Sequence, residues 1–191
     1  MHDFGWERQN ISMRTTILLL SIATLAFTSC KKEINSLPEP TQTGANTFGA
    51  VIDGENWGPL KAGVLPTLPI LEARFSADSS VFINARNFSR TPTETEMEIY
   101  LKNLRGPGTY PLNQVTGAYP NHSASYAFFV RRKVTVEDDW ITGANATGQV
   151  QVTKIDWEAR IISGTFSFTA NATYNSAPIT VTDGRFDVKV Q

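Results

Sequence analysis

The stretch Phe48-Gly49-Ala50-Val51-Ile52-Asp53-Gly54-Glu55-Asn56-Trp57 decides the fold. Two runs of strand-forming residues flank Asp-Gly, a pair that tolerates the left-handed backbone angles of a two-residue hairpin turn. Counting outward from that turn, Ile52 opposes Glu55 and Ala50 opposes Trp57. Side chains alternate across a strand, so Phe48, Ala50, Ile52 and Trp57 share one face, as a hairpin over an apolar core requires. Trp57 is therefore assigned to the core.

The period of two continues along the chain. Met97, Ile99 and Leu101 alternate with Glu96, Glu98, Tyr100 and Lys102, and Val150 and Val152 alternate with Gln149, Gln151 and Thr153. Ile162, Phe166, Phe168 and Ala170 alternate with Ser163, Thr165, Ser167 and Thr169, and Phe186, Val188 and Val190 with Arg185, Asp187 and Lys189. Weaker strands are expected over Ile70–Ser76, Val81–Phe88 and Ser125–Val136. Asp183-Gly184 reads either as a second two-residue turn, pairing Val181 with Phe186, or as a glycine bulge in one long strand. Leu60–Pro69, bracketed by prolines, reads as a loop along a sheet edge. No stretch shows the 3.6-residue period of an amphipathic helix. Residues 46–191 are thus expected to form a single all-β domain, an antiparallel β-sandwich or alternatively a meander, lipocalin-like barrel.

The composition suits that reading. Of 191 residues, 41% are apolar and only 18% charged, with a net charge of −1. The polar surface is drawn from 22 threonines, 13 serines and 12 asparagines, and threonine packs well on a pleated face. Near-neutral charge leaves no electrostatic footprint for nucleic acid or an anionic membrane. Two histidines and one cysteine exclude a disulfide scaffold and leave few ligands for zinc.

The N-terminus reads as an address. Met13-Arg14, the apolar run Thr15–Phe27 and the small residues Thr28-Ser29 have the three parts of a secretory leader, too short for a membrane span. Residues 1–29 are expected to be a signal peptide, with Met13 as the true start because the acidic residues Asp3 and Glu7 do not suit an export leader. Leu25-Ala26-Phe27-Thr28-Ser29-Cys30 resembles a bacterial lipobox, which implies that Cys30, the only cysteine, is lipidated and becomes the mature N-terminus. Residues 30–45, with two prolines and no apolar period, then read as a flexible tether. Lys31 in place of an aspartate favours the outer membrane, and Lys32-Glu33 partly resembles a surface-export signal, with the face of that membrane left open.

The run Gly148–Asp156, then Ile162–Ala170, then Val181–Val188 resembles an uncharacterised family of small Bacteroidota lipoproteins. Asp53-Gly54-Glu55-Asn56-Trp57 and Gly106-Pro107-Gly108-Thr109-Tyr110 are similar to elements of the same proteins. The resemblance implies a β-rich domain of the cell envelope and carries over no catalytic residue.

Two tryptophans stand out as candidate ligand contacts. Trp157, in Asp156-Trp157-Glu158, sits between two strands where a hairpin tip is expected, and Trp140 follows Glu137-Asp138-Asp139. An exposed aromatic ring beside carboxylates can stack on a sugar. Glu137-Asp138-Asp139 and the pair Asp183 and Asp187 offer oxygen ligands but lack the spacing of a calcium loop. His122 has no second histidine or cysteine near it, and no nucleophile motif or phosphate-binding glycine loop occurs. No cofactor or metal site is expected. The chain is read as a lipid-anchored, non-enzymatic envelope module that binds a glycan or an envelope protein, or serves as an accessory subunit. The alternatives are a polysaccharide hydrolase using Asp138 or Asp139, and a carrier of small apolar ligands.

Overall fold

The computed structural model describes residues 34–61, 68–89, 94–116, 121–133, 135, 137–174 and 176–191. The expected leader, Met13 and Cys30 lie outside the described residues, as do 62–67 of the edge loop and Val134 and Val136 of an expected strand. The described residues hold eleven strands and no helix: β1 (Thr47–Ile52), β2 (Glu55–Trp57), β3 (Leu71–Phe75), β4 (Val81–Asn87), β5 (Thr95–Leu101), β6 (Gly108–Pro111), β7 (Tyr126–Arg132), β8 (Glu137–Ile141), β9 (Gly148–Asp156), β10 (Ile161–Ala172) and β11 (Ile179–Lys189).

The strands form one antiparallel sheet in the order β2-β1-β11-β10-β8-β7-β5-β4-β3, with β9 also on β10 and β6 on β9. The twelve-residue β10 turns the corner. Ile161 to Phe168 pair with β9, whereas Asn171 and Ala172 pair with β8. The sheet therefore curls into a half-barrel, consistent with both the sandwich and the barrel expected from the alternation. The curl is tied across its opening. Trp57 Nε1 donates to Thr95 Oγ1 at 2.9 Å, Asn87 Nδ2 donates to Gly58 O at 2.8 Å, and Gln191 N donates to Ala73 O at 2.8 Å.

The first hairpin has the register read from its turn: Ala50 pairs with Trp57 and Ile52 with Glu55, and Asp53 and Gly54 both take positive φ. Inside the curl, Phe48 and Trp57 pack with Phe129, Phe166, Phe168 and Phe186 in one cluster that draws on both halves of the sheet. Phe48 meets Trp57 edge-on at 6.1 Å and Phe166 at 5.2 Å. Such ring contacts add roughly 0.5–1.5 kcal/mol each beyond the area they bury.

Of the two readings of Asp183-Gly184, the structure adopts the bulge. β11 runs unbroken through it, and both neighbours slip by one residue there: Phe166 pairs with Gly184 but Phe168 with Val181, and Gly49 with Arg185 but Val51 with Thr182. Asp183 has φ of 52°, and a β-carbon on Gly184 would stand 2.4 Å from the Phe166 ring. The glycine lets that ring lie flat on the backbone.

One expectation is corrected. The flexible tether read over 30–45 is, from Ile34 onward, laid on the outer face of the sheet as a strap. Asn56 Nδ2 donates to Asn35 O, Arg185 Nη1 to Pro38 O and Lys154 Nζ to Gln42 O. Pro38 rests on Gly49, where a β-carbon would sit only 2.7 Å from it. Beyond Gln42 the strap folds onto Asp187. This carboxylate, on a residue 1% exposed, accepts from Thr41 Oγ1 (2.6 Å), Thr43 N (2.9 Å), Gly44 N (2.8 Å), Ala45 N (3.1 Å) and Ser163 Oγ (2.7 Å). Sequence periodicity missed the strap because its hold is one buried charge meeting backbone N–H groups.

Candidate functional site

The core-facing residues of β4, β5 and β7 include Val81, Ile83, Ala85, Met97, Ile99, Leu101, Ala127 and Phe129. Their alternating neighbours should be polar if the opposite face met only water. They are not. Tyr100, Tyr126, Phe128 and Val130 form a second buried cluster on the outer face, with Phe82 and Ile141 packed against it. The pairing explains the cluster, because Phe82 lies opposite Tyr100 and Tyr100 opposite Tyr126, bringing three rings into one row across three strands.

His122 reaches this row from the segment before β7. Its backbone is left-handed, with φ of 58°, and its ring stacks on Tyr100 at 4.5 Å and lies edge-on to Phe82 at 6.4 Å. The Arg74 guanidinium lies over Phe82, 5.2 Å from the ring centre. Between these groups is a recess of about 480 Å³ lined by Arg74, Phe75, Ser76, Phe82, Glu98, Tyr100, His122 and Phe128. Its volume falls within the usual range for small-molecule sites.

Glu98 is the carboxyl group of this recess. Burial among the rings pushes its pKa up. The Tyr126 hydroxyl, which donates to Oε1, pulls the other way without cancelling that effect, and nearby Glu96 adds to the rise. Glu96 itself is tied into charged partners: Arg132 Nη2 at 2.9 Å, Arg86 Nε at 3.5 Å, and the Asn84 amide. The recess thus combines ring surfaces, a cation at its rim, an imidazole and a carboxyl held above its ordinary range. That set orients a small ligand having both apolar faces and polar edges.

The candidate residues read from sequence fall elsewhere. Trp140 is corrected: expected as an exposed ring, it lies in β8, 3% exposed, packed on Phe129 at 5.7 Å with Nε1 donating to Ala177 O. It presents no free face to a sugar. Trp157 does stand in the turn between β9 and β10, 51% exposed, with its ring 4.7 Å from Phe75. Phe75 packs against the inner core and also lines the recess, so Trp157 stands beside the β3 wall of the recess without itself lining it. The structure does not bring the two tryptophans together.

The carboxylates also separate. Asp138 pairs with Lys133 at 2.6 Å and Arg131 at 2.7 Å, which hold its pKa below the usual range, while burial raises that of Asp139. Consecutive strand residues point to opposite faces, so Asp138 and Asp139 do not face one another across a cleft. Asp187 is committed to the strap, and Asp183 lies on the exposed bulge. Among the described residues, no group of three acidic, histidine or cysteine side chains is placed to hold a metal ion.

A sequence signal for the recess existed. Tyr126-Ala127-Phe128-Phe129-Val130 and Val81-Phe82-Ile83 are continuous apolar runs, the mark of strands covered on both faces. Which groups cover the second face depends on the pairing of β4, β5 and β7, and on where His122 lies.

Fold and recess together define a class: a curled antiparallel half-barrel with a ligand-sized recess on an outer face. The chain belongs to the family described as a domain of unknown function, DUF6252, whose profile matches residues 70–189. The match opens just before β3 and closes with β11, leaving the first hairpin and the strap outside it. No curated protein matches the chain, and no solved structure matches it.

Proposed function

We propose that this protein is a lipid-anchored module of the bacterial cell envelope, held in the outer membrane through Cys30, that binds a ligand without transforming it. The observation that carries the binding role is the recess, where a second apolar cluster on the outer face is interrupted by Glu98, His122 and Arg74. The ligand is a glycan fragment of one or two rings, matched in size to the recess. Its apolar ring faces lie on Phe82 and Phe128, and its hydroxyls meet Glu98, His122 and Arg74. The lipobox-like Leu25–Cys30 and the resemblance to envelope lipoproteins support the anchor.

A glycan array probed with the wild type, Glu98→Gln, Arg74→Ala and Trp157→Ala tests this reading. We expect a defined set of sugars to be retained, binding to weaken at least severalfold in the first two variants, and Trp157→Ala to bind as the wild type. Absence of binding to every sugar, or binding indifferent to Glu98 and Arg74, refutes the recess as a glycan site. Intact mass of the membrane-extracted protein tests the anchor, and an unmodified Cys30 refutes it.

A further inference from the structure

The strap fixes where an anchor on Cys30 would attach to the domain. Ile34 lies over Gly58, with its Cδ1 3.1 Å from the place a β-carbon would take, and Asn35 is bound by Asn56. Four residue steps separate Cys30 from Ile34, a reach of at most about 14 Å for fully extended chain. A tether of sixteen free residues would let the domain stand well clear of the bilayer; four steps keep Ile34 within about 14 Å of the anchor.

Gly58 marks one end of the half-barrel. Its carbonyl accepts from Asn87 at the end of β4, and Leu60 bridges the same residue. Trp57, one residue earlier, is bound to Thr95 at the start of β5. Lys61 is exposed beside Leu60, and Leu68, 56% exposed, leads into β3 at this end, where Arg86 Nη1 donates to Pro69 O. Lys133 follows β7 there, since Arg131 pairs with Thr95. The recess is at the other end of the same strands, at Phe82, Tyr100 and Phe128. Phe82 and Asn87 are five residues apart along β4, about 17 Å at strand spacing, which exceeds the reach of the tether.

We propose that the end carrying Gly58, Lys61, Leu68 and Lys133 lies against the lipid surface and that the recess faces away from it. This deepens the lipid-anchored reading above and rests on it. An exposed leucine and an exposed lysine, Leu68 and Lys61, at one end of the sheet suit the boundary between acyl chains and headgroups, where the lysine stem lies along apolar surface and its ammonium reaches water; Lys133, at the same end, is paired with Asp138. The recess then takes soluble ligands from the compartment the protein faces, and lipids of its own membrane cannot enter.

Lysine footprinting with an amine-reactive reagent, read by mass spectrometry, tests this on two samples in neutral phosphatidylcholine vesicles. One is the chain expressed with its own leader. The other is residues 30–191 joined through the Cys30 thiol to a maleimide-bearing lipid, so that the anchor is present whatever the cell does. Each lysine is compared with itself in the vesicle-free protein. We expect labelling of Lys61 and Lys133 to fall severalfold on the vesicle and that of Lys102, beside the recess end of β5, to stay unchanged. Protection of Lys102 equal to that of Lys61, or no protection of Lys61 in the maleimide-coupled sample, overturns the orientation. An unmodified Cys30 in the first sample, with the expected footprint in the second, refutes natural lipidation while upholding the geometry.

Discussion

Replacing Asp187 with asparagine tests the strap most directly. In the wild type, six donors converge on its two oxygens, three of them backbone N–H groups of residues 43–45 that have no strand partner to turn to. Asparagine keeps one acceptor and turns the other into an N–H donor; a facing hydroxyl can rotate to accept from it, but a facing backbone N–H cannot, so at least one backbone bond is lost and those that remain lose their charge. Hydrogen bonds to a charged group contribute roughly 1.5–3 kcal/mol each. With one such bond lost and the charge removed from the others, we expect a destabilisation of about 3 kcal/mol. For a domain of this size that corresponds to a fall in Tm of about 6–12 °C.

The pH dependence supplies a sharper check. The donors from Thr41, Ser163, Ala45 and Gly44 outweigh burial and hold the Asp187 carboxyl well below the usual aspartate range. A depressed folded pKa means that the stabilisation is fully present above the unfolded value, about 3.9, and is lost as the pH falls toward the lower folded value. The difference between wild type and Asp187→Asn, followed by urea unfolding, should therefore be constant from neutral pH down to about 5 and narrow below about 4. Proteolysis should cut the strap of the variant between Ile34 and Ala45 before the domain unfolds. A fall in Tm below about 2 °C, or a difference that ignores acid, would refute the account.

Glu98→Gln should stabilise the protein at neutral pH. Burial raises the folded pKa of Glu98, so wild-type stability declines as the pH rises from the ordinary glutamate range through the raised value; unfolding midpoints at pH 4 and pH 7 should show the variant free of that decline. Trp140→Ala should cost about 3–5 kcal/mol in urea unfolding, whereas Trp157→Ala should cost no more than about 1 kcal/mol, the worth of its contact with Phe75. Gly184→Ala should destabilise by about 1–3 kcal/mol, since the new methyl meets the Phe166 ring; a calorimetric Tm matching the wild type would show that the bulge adjusts freely.

The strands were legible because each has one face on the core, and a period of two survives in sequence whatever the strand pairs with. Phe48 to Trp57 even disclosed its register, as a two-residue turn leaves no slack. Trp140 misled because a tryptophan beside three acidic residues looks like a surface feature, whereas Asp138 and Asp139 are absorbed at the strand's end by ion pairs and burial. The recess escaped because its lining comes from β3, β4, β5, β7 and the turn at His122, segments whose adjacency no local pattern encodes.

Sequence by itself therefore determined the strand content, the inward-facing residues, the first hairpin and the expectation of a lipid-bearing Cys30. Each of these is local, depending on neighbours within a few positions. Tertiary structure alone decided that the segment after Cys30 is docked, that Asp187 holds it, that Trp140 is core, and that a recess opens at the end of β4 remote from the strap's start. Those outcomes depend on contacts between segments well separated in sequence, 37 residues for Trp140 with Ala177 and 143 for Gly44 with Asp187, and a buried charge finds its donors only after the sheet has curled.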